Sequence, residues 1–284
     1  MVGNEQTTMI DGDGGGIKQL GRSAEGARAW RAGSPRWWAA ALVAYAVGRG
    51  LLLVWLIPPW QGPDEPGHAE HAMLLASQLP VGVAAPDLQG AILRSMDAHA
   101  FWRLTEAPEP DPPAQRFDDV AWFAGEESQR ADETPIGYLP MVAALRLGPE
   151  GSVEGLLTRM RLASVALTAL LALAAFALAR RALPAPAAPA AALATVALPM
   201  VGFAGSIANN DLAAAAVATA WFAALAAVLV RLSLGRMALL VGLAVLAAAA
   251  KRTGLYVLAV LPLAIWMAQR ARGSGLGRGW GGMA

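Results

Sequence analysis

A series of long apolar segments limits what this chain can fold into. Several approach the roughly 20 residues that an α-helix needs to cross a bilayer. The composition agrees, because 56% of the 284 residues are hydrophobic, 15% are charged, and the mean hydropathy is +0.44. We therefore predict an all-α, polytopic transmembrane helix bundle with about six spanning helices. The segments are residues 37–57, 156–179, 187–207, 211–230, 236–250 and 254–268.

The basic residues predict how these helices are oriented. Arginines fall in alternate loops, and cytoplasmic loops of membrane proteins carry an excess of Lys and Arg. We expect a multi-pass protein of the cell membrane with a disordered cytoplasmic tail at 1–35, a transmembrane domain at 36–270 and a cytoplasmic tail at 271–284. The arginines that set this orientation are Arg28, Arg31, Arg36, Arg180, Arg181, Arg231, Arg236, Arg270 and Arg272.

Charge and cysteine usage exclude several kinds of function. The basic residues are scattered at helix ends, so no cluster could follow a phosphate backbone, and we expect membrane lipids but no nucleic acid as partners. The chain has no cysteine, which excludes disulfides and thiolate metal sites. It also lacks the Gly-x-Ser-x-Gly and His-Glu-x-x-His arrangements, which weakens the case for a hydrolase or protease.

A large extracytoplasmic loop, residues 58–152, follows the first spanning segment. It contains fifteen of the 21 carboxylates and all three histidines. We predict short helices along the membrane surface at 68–79 and 87–104, and a proline-rich connector at 107–116. The apolar stretch at 134–147 is too short to span and is expected to return the chain to the interface.

The third spanning segment contains two prolines, Pro189 and Pro199. Proline lacks an N–H and frees a backbone carbonyl in the preceding turn. At membrane depth such carbonyls need partners from neighbouring helices. We therefore expect this segment to pack inside the bundle.

Two adjacent carboxylates, Asp64 and Glu65, follow the first spanning helix. Pro58 and Pro59 end that helix and turn the backbone out of the bilayer. The acidic pair is then held at the mouth of an apolar segment, where uncompensated charge is costly and usually has a function.

Asp211 is the only acidic residue after Glu154, and it follows Asn209 and Asn210. The predicted topology places it at the same membrane face as Asp64. An N-cap for the following helix is one explanation, since Asn and Asp accept backbone N–H bonds. Three consecutive polar residues exceed what a cap needs, so a functional role stays open beside it.

Lys251 and Arg252 interrupt an apolar stretch on the side where few cations are expected. Both could reach lipid headgroups, or they could bind the phosphate of a lipid-linked substrate. Arg49 and Arg161 lie in or near spanning helices and raise the same question less specifically. Arg49 could pair with a carboxylate inside the bundle.

These features together resemble the polyprenyl-phosphate-sugar-dependent glycosyltransferases of the GT-C superfamily, in particular its bacterial branches, over about residues 36–270. The resemblance rests on the segments around Pro58–Pro59, Asp64–Glu65 and Asn209–Asp211, and on two further segments. Those two are Thr134-Pro135-Ile136-Gly137-Tyr138 and Lys251-Arg252-Thr253-Gly254. It also rests on the helix that contains Arg161-Leu162-Ala163-Ser164 and ends at Ala179-Arg180-Arg181.

The family implies a lipid-linked sugar donor and an active site at the extracytoplasmic face. By position, Asp64 becomes the general base or acceptor-orienting group, with Glu65 beside it, because an attacking hydroxyl must lose its proton. Asp211 and Asn210 form the second acidic position. Cations stabilise the departing phosphate, and the residues implied are Lys251, Arg252 and Arg161.

His68 and His71 are candidate metal ligands. If a helix begins near Pro66, the two imidazoles lie three residues apart on one face, near Glu65. They could help bind a divalent metal such as Mg²⁺ or Mn²⁺. Solvated surface histidines are the alternative.

A noncatalytic role is the second possibility that the sequence leaves open. Such enzymes usually have more than six spanning helices, so we expect a truncated copy or a partner chain that supplies further helices. A transporter element or assembly partner would use Asp64, Glu65 and Asp211 in structural ion pairs with Arg49 or Arg161. It also stays open whether residues 117–133, acidic and without periodicity, become ordered only with substrate.

Overall fold

The computed structural model describes residues 35–78, 86–101, 130, 132–149 and 151–273. The described residues form α-helices and two short 3₁₀ helices, Pro135–Tyr138 and Arg252–Gly254, without a β-strand. The α-helices are α1 Pro35–Leu56, α2 Glu65–Ala76, α3 Pro86–Ala98, α4 Leu139–Leu147, α5 Val153–Ala182, α6 Ala187–Ala197, α7 Pro199–Ala204, α8 Asp211–Val230, α9 Leu234–Ala250 and α10 Leu255–Gly273. The all-α prediction is confirmed for this part of the chain.

Four helical segments are long and apolar enough to cross a membrane: Pro35–Leu56, Val153–Ala182, Asp211–Val230 and Arg252–Arg270. Three shorter apolar stretches accompany them, at Pro135–Leu147, Ala187–Ala197 and Leu234–Ala250. This pattern is that of a multi-pass membrane protein. The count of six spanning helices and the cytoplasmic N-terminus stay predictions.

The third expected spanning helix is broken between α6 and α7. Pro199 begins α7 and Leu198 takes an extended ψ of 131°, so the carbonyls at the end of α6 lose their helical partners. Arg49 of α1 binds one of them, because its Nη1 donates to the Val196 carbonyl at 2.7 Å. The same Nη1 donates at 3.1 Å to the Leu198 carbonyl, which also accepts the N–H of Gly202. A neighbouring helix thus satisfies the freed carbonyl of Val196, as expected. The segment is not enclosed by the described helices, because Leu193, Leu198 and Met200 are exposed. Arg49 thus serves the backbone rather than a carboxylate.

Helix α5 is the central element, since it packs against α1, α4, α6 and α8. Its contact faces are rich in alanine, which lets helix backbones approach closely where lipid offers no hydrophobic driving force. Large apolar side chains point outward instead, among them Trp37, Trp55 and Trp266. That distribution suits a bundle whose outer surface meets hydrocarbon.

The loop after α1 folds onto the N-terminal half of α5. Helices α2, α3 and α4 share a core with Met160, and Trp60 lies fully buried there. Trp60 has a φ of 71°, unusual for a bulky residue, and its Nε1 donates to Ser95 at 2.9 Å. The predicted helices at 68–79 and 87–104 correspond to α2 and α3. Their placement along a membrane surface stays a prediction.

Several predictions concern residues outside the described part of the chain. The cytoplasmic tail at 1–35 lies outside it except for Pro35, which begins α1. The connector at 107–116 also lies outside. The C-terminal tail at 271–284 lies outside from residue 274 onward, and α10 continues to Gly273.

Candidate functional site

A polar cleft lies where the segment before the first 3₁₀ helix crosses the ends of α8 and α9. Its volume is about 250 Å³. The 3₁₀ helix fits closely because Gly137 has no side chain, and a Cβ there would collide with the carbonyl of Ala250. The residues that line the cleft are Arg130, Asp132, Glu133, Thr134, Asn210, Lys251, Arg252 and Thr253.

Lys251 lies at the end of α9 and is directed towards the start of α8. Its Nζ donates to Asp211 Oδ1 at 2.5 Å and to Asn210 Oδ1 at 3.1 Å. The fold therefore brings together Asp211, predicted as the second acidic position, and Lys251, predicted to bind phosphate. The two residues lie forty positions apart in sequence. Asn210 is buried between them.

Helix α8 is not capped by the carboxylate of Asp211. The side chain that serves the helix start is Asn209, whose Oδ1 accepts the N–H of Asp211 at 2.9 Å. Asn210 occupies the N-cap position without a side-chain cap bond. The side chains of Asn210 and Asp211 therefore have contacts beyond helix capping.

Arg252 lies at the outer edge of the cleft. It pairs with Asp132 at 3.0 Å, and both side chains are largely exposed. Its Nη2 also donates to the Asp132 carbonyl at 3.1 Å. Exposed pairs of this kind contribute little to stability, so the guanidinium can exchange partners at low cost.

Asp64 reaches the site through Arg130. The Asp64 carboxylate is 70% exposed and lies 2.7 Å from Arg130 Nη2. Its backbone adopts a left-handed φ of 56°, and its side chain forms no cap bond to α2. Burial disfavours the charged form of Arg130, but the hydrogen bond and charge of Asp64 outweigh it, so the pKa of Arg130 is raised.

Glu133 is a member of the site that the sequence analysis did not identify. Its carboxylate accepts hydrogen bonds from Tyr138 Oη at 2.5 Å, from Asn210 Nδ2 at 2.5 Å and from Arg130 Nη1 at 3.2 Å. It lies in the acidic, aperiodic stretch that gave no structural signal. Its position directly before the Thr134–Tyr138 segment was the available clue.

Two histidines of α2 lie behind Glu133, against Tyr138. His68 Nδ1 is 2.6 Å from Tyr138 Oη, and burial lowers the pKa of His68 to about 4. The His71 ring lies 4.4 Å from the Tyr138 ring, and neither of its buried nitrogens has a hydrogen-bond partner among the described residues. Burial also lowers the pKa of His71 and raises that of Tyr138, aided by the bond to Glu133.

Among the described residues, the two histidines have no third metal-ligating side chain beside them. Within the described residues, no group of three or more His, Cys, Asp or Glu side chains could hold an ion. His68 Nδ1 is already engaged by Tyr138. Binding of Mg²⁺ or Mn²⁺ stays a prediction.

Glu65 and Arg161 form a buried ion pair outside the cleft lining. Arg161 Nε and Nη2 donate to the two carboxylate oxygens at 2.8 and 2.7 Å, and the side chains are 0% and 3% exposed. Glu65 also accepts the N–H of Ala208 at 2.9 Å. Arg161 donates to the carbonyls of Ile57 and Pro58. The pair thus fastens the end of α1 and the start of α2 to α5 and to the turn before α8.

The structure therefore divides the predicted site residues into two groups. Those at or directly paired to the cleft are Asp64, Asn210, Asp211, Lys251 and Arg252. Those engaged elsewhere are Glu65, Arg161, His68 and His71. Comparison of the chain with protein-family models, curated proteins and solved structures gives no match.

Proposed function

We propose that this protein is a membrane glycosyltransferase that moves a sugar from a polyprenyl-phosphate donor to an extracytoplasmic acceptor. The observation that carries the proposal is the convergence of Asp64, Asp211 and Lys251 on one cleft region at the ends of apolar helices. Carboxylates and cations at that position suit a reaction that removes a proton and releases an anion.

The proposed reaction assigns a role to each side of the cleft. Asp64, exposed and not used as a helix cap, accepts the proton of the attacking hydroxyl. The hydroxyl oxygen forms a bond to the anomeric carbon, while the bond from that carbon to the phosphate oxygen breaks and its electron pair stays on the phosphate. Lys251 and Arg252 stabilise that charge.

The phosphate would replace carboxylates that now occupy these cations. Lys251 pairs with Asp211 and Arg252 with Asp132, and at least one member of each pair is largely exposed. An anionic phosphate oxygen offers the same kind of acceptor as a carboxylate oxygen. Exchange of one for the other therefore leaves no cation unpaired.

Glu65 and Arg161 enter this proposal as structural supports. Their mutual bonds leave no carboxylate oxygen of Glu65 without a donor. The same kind of pair is also expected for the second candidate function, a noncatalytic membrane protein held together by internal ion pairs, with a partner chain supplying further helices. An intact pair is compatible with both functions, so activity must decide between them.

The experiment uses the full chain in proteoliposomes supplied with a polyprenyl phosphate that carries a radiolabelled hexose or pentose. We expect the wild type to transfer or hydrolytically release the sugar, and Asp64→Asn to abolish this with little change in Tm. Asp87→Asn, in an exposed position on α3, is the matched control and should remain active. Wild-type protein that is inactive with every donor, together with a large loss of stability in Asp64→Asn, would favour the noncatalytic function.

A further inference from the structure

We infer that Glu133 is a positioning residue that fixes Asp64 and Lys251 relative to each other across the cleft. The inference rests on the proposed function, because it concerns the proposed base and the proposed phosphate-binding cation. Neither of these two residues contacts Glu133 directly. Each is reached through one intermediate side chain.

The first connection runs from Glu133 through Arg130 to Asp64. Arg130 Nη1 donates to Glu133 Oε1 at 3.2 Å, and Arg130 Nη2 donates to Asp64 Oδ2 at 2.7 Å. The guanidinium is planar and rigid, so fixing one of its edges fixes the direction of the other. The position of the Asp64 carboxylate therefore depends on Glu133.

The second connection runs through Asn210 to Lys251. Asn210 Nδ2 donates to Glu133 Oε2 at 2.5 Å, while its Oδ1 accepts from Lys251 Nζ at 3.1 Å. Only one orientation of the amide allows both bonds, because a carboxylate only accepts and an ammonium group only donates. The buried amide thus transmits the position of Glu133 to Lys251.

The Glu133 carboxylate is itself restrained by Tyr138 and by the attachment of the neighbouring backbone to α9. Tyr138, fully buried, donates its hydroxyl to Oε2 at 2.5 Å and contacts His68 through the same oxygen. The neighbouring residues are attached to the end of α9, since Thr134 Oγ1 donates to the Ala249 carbonyl at 2.5 Å. A carboxylate restrained in this way provides a fixed reference point for both halves of the cleft.

The first test does not require activity. Tm values are measured in detergent for Arg130→Met, which removes the ion pairs to Asp64 and Glu133, for Lys251→Met and for the double variant, each with Glu133 and with Glu133→Gln. If Glu133 connects the two sites, the two Tm shifts should be non-additive in the Glu133 background and additive in the Glu133→Gln background. Additive shifts in the Glu133 background would overturn the inference.

The second test measures sugar transfer in proteoliposomes. Glu133→Gln should lower kcat by about 10² -fold, because a displacement of about 1 Å at a reacting group can cost that much, with a smaller change in KM for the polyprenyl-phosphate sugar. Glu133→Asp, which retains a carboxylate, should recover part of the loss. Asp87→Asn again serves as the control.

The division of the effect between kcat and KM separates positioning from general loss of structure. Loss of positioning lowers kcat more than it changes KM, and Glu133→Asp restores part of kcat. A merely unstable protein would lose active enzyme, and its KM and the kcat per folded molecule would stay those of the wild type. Wild-type-like kinetics of Glu133→Gln would also overturn the inference.

The two tests distinguish failure of the inference from failure of the proposed function. The wild type could lack transfer activity while its variants still show the non-additive Tm shifts. That result would refute the proposed glycosyltransferase function. The same result would support the role of Glu133 in organising the cleft.

Discussion

Breaking the buried pair between Glu65 and Arg161 should be among the most destabilising single changes in this fold. Both side chains are essentially inaccessible to solvent, and two N–H···O contacts of 2.7–2.8 Å join them. Removing one member of such a pair leaves a buried charge without its counterion, which costs about 3–5 kcal/mol. We expect a loss of that order for Glu65→Gln.

Arg161→Met should be the more harmful of the two variants. It leaves the Glu65 carboxylate buried with backbone donors alone, from Ala208 at 2.9 Å and Gly62 at 3.3 Å. It also removes the bonds to the Ile57 and Pro58 carbonyls, and a hydrogen bond to a charged group contributes about 1.5–3 kcal/mol. The expected loss of unfolding free energy therefore exceeds that of Glu65→Gln.

The measurement is SDS-induced unfolding in mixed micelles, followed by tryptophan fluorescence. The double variant Glu65→Gln/Arg161→Met should lose less unfolding free energy than the sum of the two single losses, by about 1–3 kcal/mol, because neither charge is then left without its partner. Asp97→Asn, exposed on α3, is the control and should stay within about 0.5 kcal/mol of the wild type. A single-variant loss below about 1 kcal/mol, or strict additivity, would refute the reasoning.

Two further predictions concern His68 and Arg49. The folded-state pKa of His68, about 4, lies below its ordinary value of 6.5, so the unfolded chain binds more protons between these values, and stability should fall as pH drops from about 6.5 to 4. The unfolding free energy of the wild type relative to His68→Asn should decline by up to about 3 kcal/mol over this window, and parallel pH curves would contradict this. Arg49→Met leaves the Val196 carbonyl without this donor, while the Leu198 carbonyl keeps the N–H of Gly202. The change should cost about 1–3 kcal/mol, whereas Arg36→Met, at an exposed position, should have little effect on Tm.

The sequence predicted the helical class and most helix positions because apolar length and helix-breaking prolines act locally. It did not predict that the 187–207 segment divides into two helices at Pro199. A proline in an apolar run either kinks a helix or ends it. Which of these occurs depends on a partner for the freed carbonyls, here Arg49, about 150 residues away in sequence.

Charges at the ends of apolar segments were a useful guide to the cleft. Lys251 and Asp211 were identified because each is exceptional in its surroundings, and they form a direct pair. Glu133 was not identified because it is one carboxylate among many in an acidic stretch. Its role depends on hydrogen bonds from Arg130, Tyr138 and Asn210. Such contacts cannot be inferred from composition.

The sequence did not predict that the adjacent carboxylates Asp64 and Glu65 lie in different environments. The left-handed φ of 56° at Asp64 turns the chain immediately before α2 begins, so one carboxylate meets Arg130 at the cleft while the next enters the core beside Arg161. Asp tolerates this conformation better than most residues, which gives a reason for its position here besides chemistry. Substitutions of the two carboxylates should therefore have different effects. Asp64→Asn should reduce sugar transfer, and Glu65→Gln should reduce the free energy of unfolding. If both variants lost transfer activity without loss of stability, the division of roles between them would be wrong.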